Sequence, residues 1–167
     1  VVHLSSGAHR GAPTEGVPLD VELINAPAMG AYARYGMSKL ANIAFSSEIA
    51  RRHRGTVLSN AVHPGVVATR MLRVDNFESM LGPIVGRAAW VLAKARNILF
   101  AYSPRTAAVS VLYAAASDEV EALGITGELI VPVATRWPPH HAKANDPQFG
   151  AALWEFSERV VGQALRR

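Results

Sequence analysis

Tyr35-Gly36-Met37-Ser38-Lys39 is the stretch on which the reading of this chain turns. It lies inside a segment, residues 31–53, where Met37, Leu40, Ala41, Ala44, Phe45 and Glu48 recur at three-and-four spacing among good helix formers, until Gly55 stops the pattern. Four residues apart on a helix, a tyrosine and a lysine share one face and sit one turn from each other. An ammonium beside a phenol favours the phenolate, which lets the tyrosine give and take a proton near neutral pH. Tyr32, a rival for that role, has no lysine four residues on and is assigned to packing.

Working outward, Val1-Val2-His3-Leu4-Ser5-Ser6 precedes this helix and reads as a short buried strand ending in two serines. Residues 7–30 are rich in Gly, Pro and acidic residues and predict a long surface loop. After the helix, residues 56–62 supply a second strand that His63-Pro64-Gly65 ends sharply. Residues 70–102 predict one or two helices. Ser103-Pro104 is a helix start, with serine as cap and proline in the first turn, and that helix runs to about residue 116. Residues 127–133 predict a third strand, and residues 136–145 a Pro/His-rich connector. Asp146-Pro147 opens a last helix with Phe149, Leu153, Phe156 and Val160 as its apolar stripe. The order strand, helix, strand, helix, strand, helix predicts an α/β fold with a thin parallel sheet and right-handed crossovers.

The 167 residues suit one domain, and 50% apolar with 18% charged residues is an ordinary globular balance. With no cysteine, disulfides and thiolate zinc sites are excluded. The net charge of +4 comes from 14 Arg and 3 Lys that are mostly scattered. Arg51, Arg52 and Arg54 form the one tight group, at the C-terminal end of the Tyr35 helix, where cations complement the macrodipole. Without aromatic interleaving or a binding motif, no nucleic-acid partner is expected. No metal is expected either: adjacent His140 and His141 point apart and lack an evident third ligand. The apolar run of residues 84–102 is interrupted by Arg87, Lys94 and Arg96, so it does not predict a membrane span. Its amphipathic part, with Trp90, Leu92, Ile98, Leu99 and Phe100, reads as a lid over an apolar substrate in preference to a membrane-surface contact. The chain opens on Val1-Val2, which reads as the middle of a strand, and no signal peptide is visible.

Leu4-Ser5-Ser6, Tyr35-Gly36-Met37-Ser38-Lys39-Leu40-Ala41-Asn42 and Asn60-Ala61-Val62-His63-Pro64-Gly65, in this order, resemble the C-terminal half of the short-chain dehydrogenases/reductases. Tyr-x-x-x-Lys alone is a weak signal; the three segments on successive elements are a strong one. Ser-Lys-Leu-Ala-Asn, His-Pro-Gly and the long loop between serine and tyrosine look most like the retinol-dehydrogenase-like branch. Tyr113-Ala114-Ala115 and Gly127-Glu128-Leu129 sit where such proteins place their last crossover helix and strand.

The resemblance implies a partial doubly wound, Rossmann-type sheet and an NAD(P)-dependent oxidoreductase that interconverts a hydrophobic alcohol and its carbonyl. Carried over, Tyr35 is the catalytic acid/base and Lys39 binds the nicotinamide ribose. Ser6, with Ser5 as its competitor, polarises the substrate carbonyl. Pro64, Gly65 and Val67 line the nicotinamide, and Thr69 reaches its carboxamide or phosphate. The cofactor is NAD or NADP, and the location cytoplasmic or peripheral to an intracellular membrane. The chain departs from the family in lacking the glycine-rich phosphate turn, the residue that chooses between NAD and NADP, and the Asn-Asn-Ala-Gly segment. It is therefore expected to be an N-terminally truncated dehydrogenase domain, inactive alone. The alternative is a non-catalytic remnant or interaction module, whose half sheet exposes an edge that invites self-association.

Overall fold

The computed structural model describes residues 1–68 and 73–166. Among them the sheet has four strands, β1 (Val2–Leu4), β2 (Asn60–Val62), β3 (Leu129–Val131) and β4 (Thr135–Arg136), in that spatial order. β1 and β2 pair parallel with Val2 opposite Asn60, and β2 and β3 pair parallel with Ala61 opposite Leu129. The predicted α/β fold with a parallel three-stranded core is thus present.

Helices cover both faces of this core, as a doubly wound arrangement requires. On one face α2 (Ala31–Arg52) and α7 (Pro147–Ala164) bury Leu40, Ile43, Ala44, Phe149 and Leu153 against Ala61 and Leu129. On the other, α5 (Pro104–Ala116) packs Val111 and Ala114 against Val62 and Ile130. The assignment follows the pleat, since successive residues of a strand face opposite sides. The predicted Ser103 cap is in place, its Oγ accepting from Thr106 N at 3.0 Å, and the helix start at Asp146-Pro147 is capped by Asp146, whose Oδ1 accepts from Gln148 N at 2.9 Å.

Three local predictions are corrected. Residues 7–30 are not all loop: Gly7–Gly11 form a 3-10 helix, and Val21–Asn25 form α1, capped by Asp20 Oδ1 at 2.7 Å from Glu22 N. A helix of five residues is too short to show a period. The third strand is shorter than residues 127–133, because Pro132 has no N–H to donate to a ladder. Past it the chain turns back as β4, antiparallel to β3, with Ile130 opposite Arg136. Residues 136–145 therefore start in a strand and end in a second 3-10 helix, Ala142–Asn145. A short α6 (Asp118–Ala122) follows α5, capped by Ser117.

The segment expected to form a lid folds into α3 (Val74–Leu81) and α4 (Pro83–Phe100), joined at Gly82 with φ +80°. The two helices lie against each other at Gly86, where a Cβ would stand 2.4 Å from Phe77 O. The outer face of α4 leaves Ile84, Val85, Leu92, Leu99 and Phe100 exposed. No helix among the described residues is long and apolar enough to cross a membrane.

Candidate active site

The C-terminal ends of β1 and β2 lie side by side, and open α/β sheets bind their ligands at the carboxyl ends of strands. Every described candidate residue stands there or on the helix turn beside it. α2 presents Tyr35, 41% exposed, and one turn later Lys39, whose Nζ lies 5.4 Å from the centroid of the Tyr35 ring. Ser38, between them, turns its hydroxyl back onto Tyr35 O at 2.8 Å and leaves that face clear.

Three hydrogen bonds fasten this turn to the end of β1. Lys39 Nζ donates to Leu4 O at 3.2 Å, and Asn42 Nδ2 donates to the same oxygen at 2.8 Å. In the reverse direction Ser5 Oγ donates to Lys39 O at 2.8 Å. The neighbouring serines therefore divide. Ser5, 4% exposed, staples strand to helix, whereas Ser6 is only half-buried and caps the 3-10 helix, its Oγ accepting from Ala8 N at 3.2 Å. With that acceptor position filled, the Ser6 hydroxyl proton stays available to a ligand.

Gly36 sets how closely the two pieces approach. A Cβ there would stand 2.8 Å from Ala8 O and 2.9 Å from Ala12 N, so the Tyr35 turn touches the backbone of the 3-10 helix that Ser6 begins.

At the end of β2, Gly65 has φ +81°, and a Cβ on it would lie 2.8 Å from both Pro132 and the Tyr102 ring. Glycine is needed there on both counts. Beyond it, Val67 forms an isolated parallel bridge to Tyr102. The bridge runs through Tyr102 N to Val66 O at 2.8 Å and Ala68 N to Tyr102 O at 3.0 Å. The peptide groups of Val67 itself consequently point away from Tyr102. Thr69 lies outside the described residues.

Sequence reasoning passed over Asn42 and His9. Asn42 stood in a quoted motif, but its bond to Leu4 O spans 38 residues and has no local signature. His9, 2% exposed, sits in the 3-10 helix with Nδ1 2.7 Å from Ser6 O. Burial lowers its pKa from the usual histidine value, and Arg10, His140 and His141 lower it further against the opposing Ser6 carbonyl. His63 is also lowered, first by burial and then by His9 and Arg10. His140 and His141 are engaged with Trp137 and Pro13, and the described residues hold no group of three or more metal-ligating side chains. Arg51 and Arg52, of the basic group, both turn to the buried carboxylate of Glu48. A cavity of 510 Å³ opens at the opposite, N-terminal ends of the strands, lined by Val57, Ala114 and Val120 among others. It contains none of the candidate residues, and the chemistry points to the other end.

The fold and the tyrosine–lysine turn define an α/β protein of doubly wound type. No family model matches the chain. It is 34% identical over 77% of its length to retinol dehydrogenase 14 of Homo sapiens, covering 35% of that protein. It is 30% identical over 99% of its length to retinol dehydrogenase 13 of Mus musculus, covering 46% of it. A crystal structure of an uncharacterised Mycobacterium paratuberculosis protein shares the fold at a TM-score of 0.52 and 24% identity, over 95% of this chain and 48% of that one. The chain is thus related to the short-chain dehydrogenases/reductases on their retinol-dehydrogenase-like side, as its motifs implied. It spans less than half the length of these curated relatives.

Proposed function

We propose that these residues form the acid/base and hydride-site half of an NAD(P)-dependent oxidoreductase acting on a hydrophobic alcohol or its carbonyl. The observation that carries this reading is the fastening of Lys39, beside Tyr35, to the end of the strand from which Ser6 emerges. In the reducing direction the Ser6 O–H donates to the carbonyl oxygen and polarises it. Tyr35 O–H then gives its proton to that oxygen, and in oxidation takes it back. The Lys39 ammonium stabilises the phenolate left behind. Its protons not engaged with Leu4 O suit ribose hydroxyls, and the outward peptide groups of Val67 suit a carboxamide. A bound nicotinamide supplies or accepts the hydride.

The residues therefore fit the nicotinamide-ribose end of such a cofactor. They include no glycine-rich turn to fit its pyrophosphate. Weak nicotinamide binding and no useful turnover are expected of these residues alone. The exposed apolar face of α4 motivates the hydrophobic substrate, with α3 and α4 as its lid.

The test is Tyr35→Phe in a protein that joins these residues to a phosphate-binding half. Turnover should fall by about 10²–10⁴-fold, while nicotinamide affinity stays nearly unchanged. Undiminished turnover removes Tyr35 from the mechanism.

One observation favours a second, non-catalytic reading. β1 bonds β2 through Val1 O and Ser5 N, so the main-chain groups of Val2 and the N–H of Leu4 face away from the sheet, while Leu4 O is taken by Lys39 and Asn42. A strand edge of this kind is a template for pairing with another chain. Oligomers in sedimentation, together with no nicotinamide fluorescence response, would favour an interaction module over the enzyme.

A further inference from the structure

His9 is held by two neighbours that demand opposite roles of its ring. Nδ1 lies 2.7 Å from Ser6 O, and Nε2 accepts the backbone N–H of His140 at 3.3 Å. A carbonyl oxygen only accepts, so Nδ1 must carry the proton; a peptide N–H only donates, so Nε2 must be bare. The neutral Nδ1–H tautomer is the form that satisfies both. An imidazolium would set a second N–H against the His140 N–H, breaking a hydrogen bond and replacing it with repulsion. The bond joins two segments 131 residues apart, the turn that begins at Ser6 and the chain leaving β4.

Among the described residues no anion acts on His9 to compensate its charge. Arg10 on the same 3-10 helix and His140 and His141 on the facing segment are cations or become so on protonation. His63, at the end of β2, adds another basic ring, with Nε2 3.3 Å from where a Gly7 Cβ would stand. From α2 the ring of Tyr32 meets the same 3-10 helix at Gly11. His140 is itself used as an acceptor, taking Trp137 Nε1–H at 3.1 Å, and its ring stacks on His9 at 6.5 Å between centroids.

We propose that His9 is a positioning residue working as a proton-sensitive latch: neutral, it fixes the Ser6 turn to residues 137–141, and protonated, it lets that segment go. Its consequence for turnover rests on the oxidoreductase reading above, whereas the latch itself does not. The sign follows from the lowered folded-state pKa of His9. Such a histidine contributes stability that is present above its unfolded value, about 6.5, and is lost as pH falls through the lower folded value.

The experiment is an NMR titration of the chain from pH 7.5 to 4.5, following the His9 ring nitrogens and the amides of Ala8 and His140. The Ala8 amide reports the Ser6 cap, since it donates to Ser6 Oγ. We expect the Nδ1–H tautomer at pH 7.5, and one shared transition of both amides with a midpoint below 6.5. His9→Asn, which keeps a donor for Ser6 O but does not titrate, should abolish the shared transition. His140→Ala keeps the peptide N–H and should retain it, so the test survives even if His9→Asn fails to fold. Independent movement of the two amides, an Nε2–H tautomer at pH 7.5, or loss of the transition in His140→Ala would each overturn the latch. Turnover absent at every pH in a protein that joins these residues to a phosphate-binding half would sink the oxidoreductase reading and leave the latch standing.

Discussion

Gly36→Ala tests the packing that sets Tyr35 beside the Ser6 turn. The added methyl would stand 2.8 Å from Ala8 O, 2.9 Å from Ala12 N and 3.0 Å from Gly11 C. Ordinary van der Waals contact begins at 3.4 Å, so α2 and the 3-10 helix would have to separate by 3.4 − 2.8 = 0.6 Å. All three atoms are backbone, and no rotamer change relieves them. On a free helix surface the same substitution stabilises by about 1 kcal/mol. Overpacking at a tight contact costs about 1–3 kcal/mol, so the net effect runs from neutral to a loss of about 2 kcal/mol. Gly162 in α7 is the internal control: its nearest neighbour is an Arg166 guanidinium nitrogen at 3.8 Å, and Gly162→Ala should realise the helix-propensity gain in full. Urea denaturation followed by circular dichroism should therefore separate the two variants by about 1–3 kcal/mol, with Gly162→Ala the more stable. Equal midpoints for the two would refute the close approach of helix and turn on which the site geometry depends.

Asn60 is buried at the start of β2, where Nδ2 donates to Ile125 O at 2.7 Å and Oδ1 accepts from Glu128 N at 3.1 Å. Asn60→Ala leaves two main-chain groups unpaired and should cost about 3 kcal/mol; a loss under about 1 kcal/mol in the same denaturation assay would contradict the burial of that pair. Glu48 is pushed up by burial, but hydrogen bonds from Arg51 and Arg52 outweigh this and hold its carboxyl below the usual range. Its contribution is therefore present above the unfolded value, about 4.3, and disappears as pH falls through the folded one. Glu48→Gln should melt below the parent chain at pH 7, by a gap that narrows as pH falls below about 4.3; a gap that stays constant as pH falls would assign the loss to packing.

The order of elements and the tyrosine–lysine turn were legible because their signals are local. Helical spacing in α2, the Ser103 and Asp146 caps and the stop at Gly55 each act within a turn or two of chain. β4 was not legible, since Thr135 and Arg136 are both exposed and two residues carry no alternation. α1, five residues long, failed for the same reason.

The sequence by itself determined the residue types of the candidate site and the elements that carry them. It favoured Ser6 with Ser5 left as a competitor, and it held no sign of what Asn42, His9 or Gly36 touch. Tertiary structure decided those points: the Lys39 carbonyl claims Ser5, the Leu4 carbonyl claims Asn42, and His140 claims the far side of His9. The physical reason is distance along the chain. Helix periods and caps are interactions between near neighbours, whereas these bonds join residues 34, 38 and 131 positions apart, and they exist only once the sheet has brought its strand ends together.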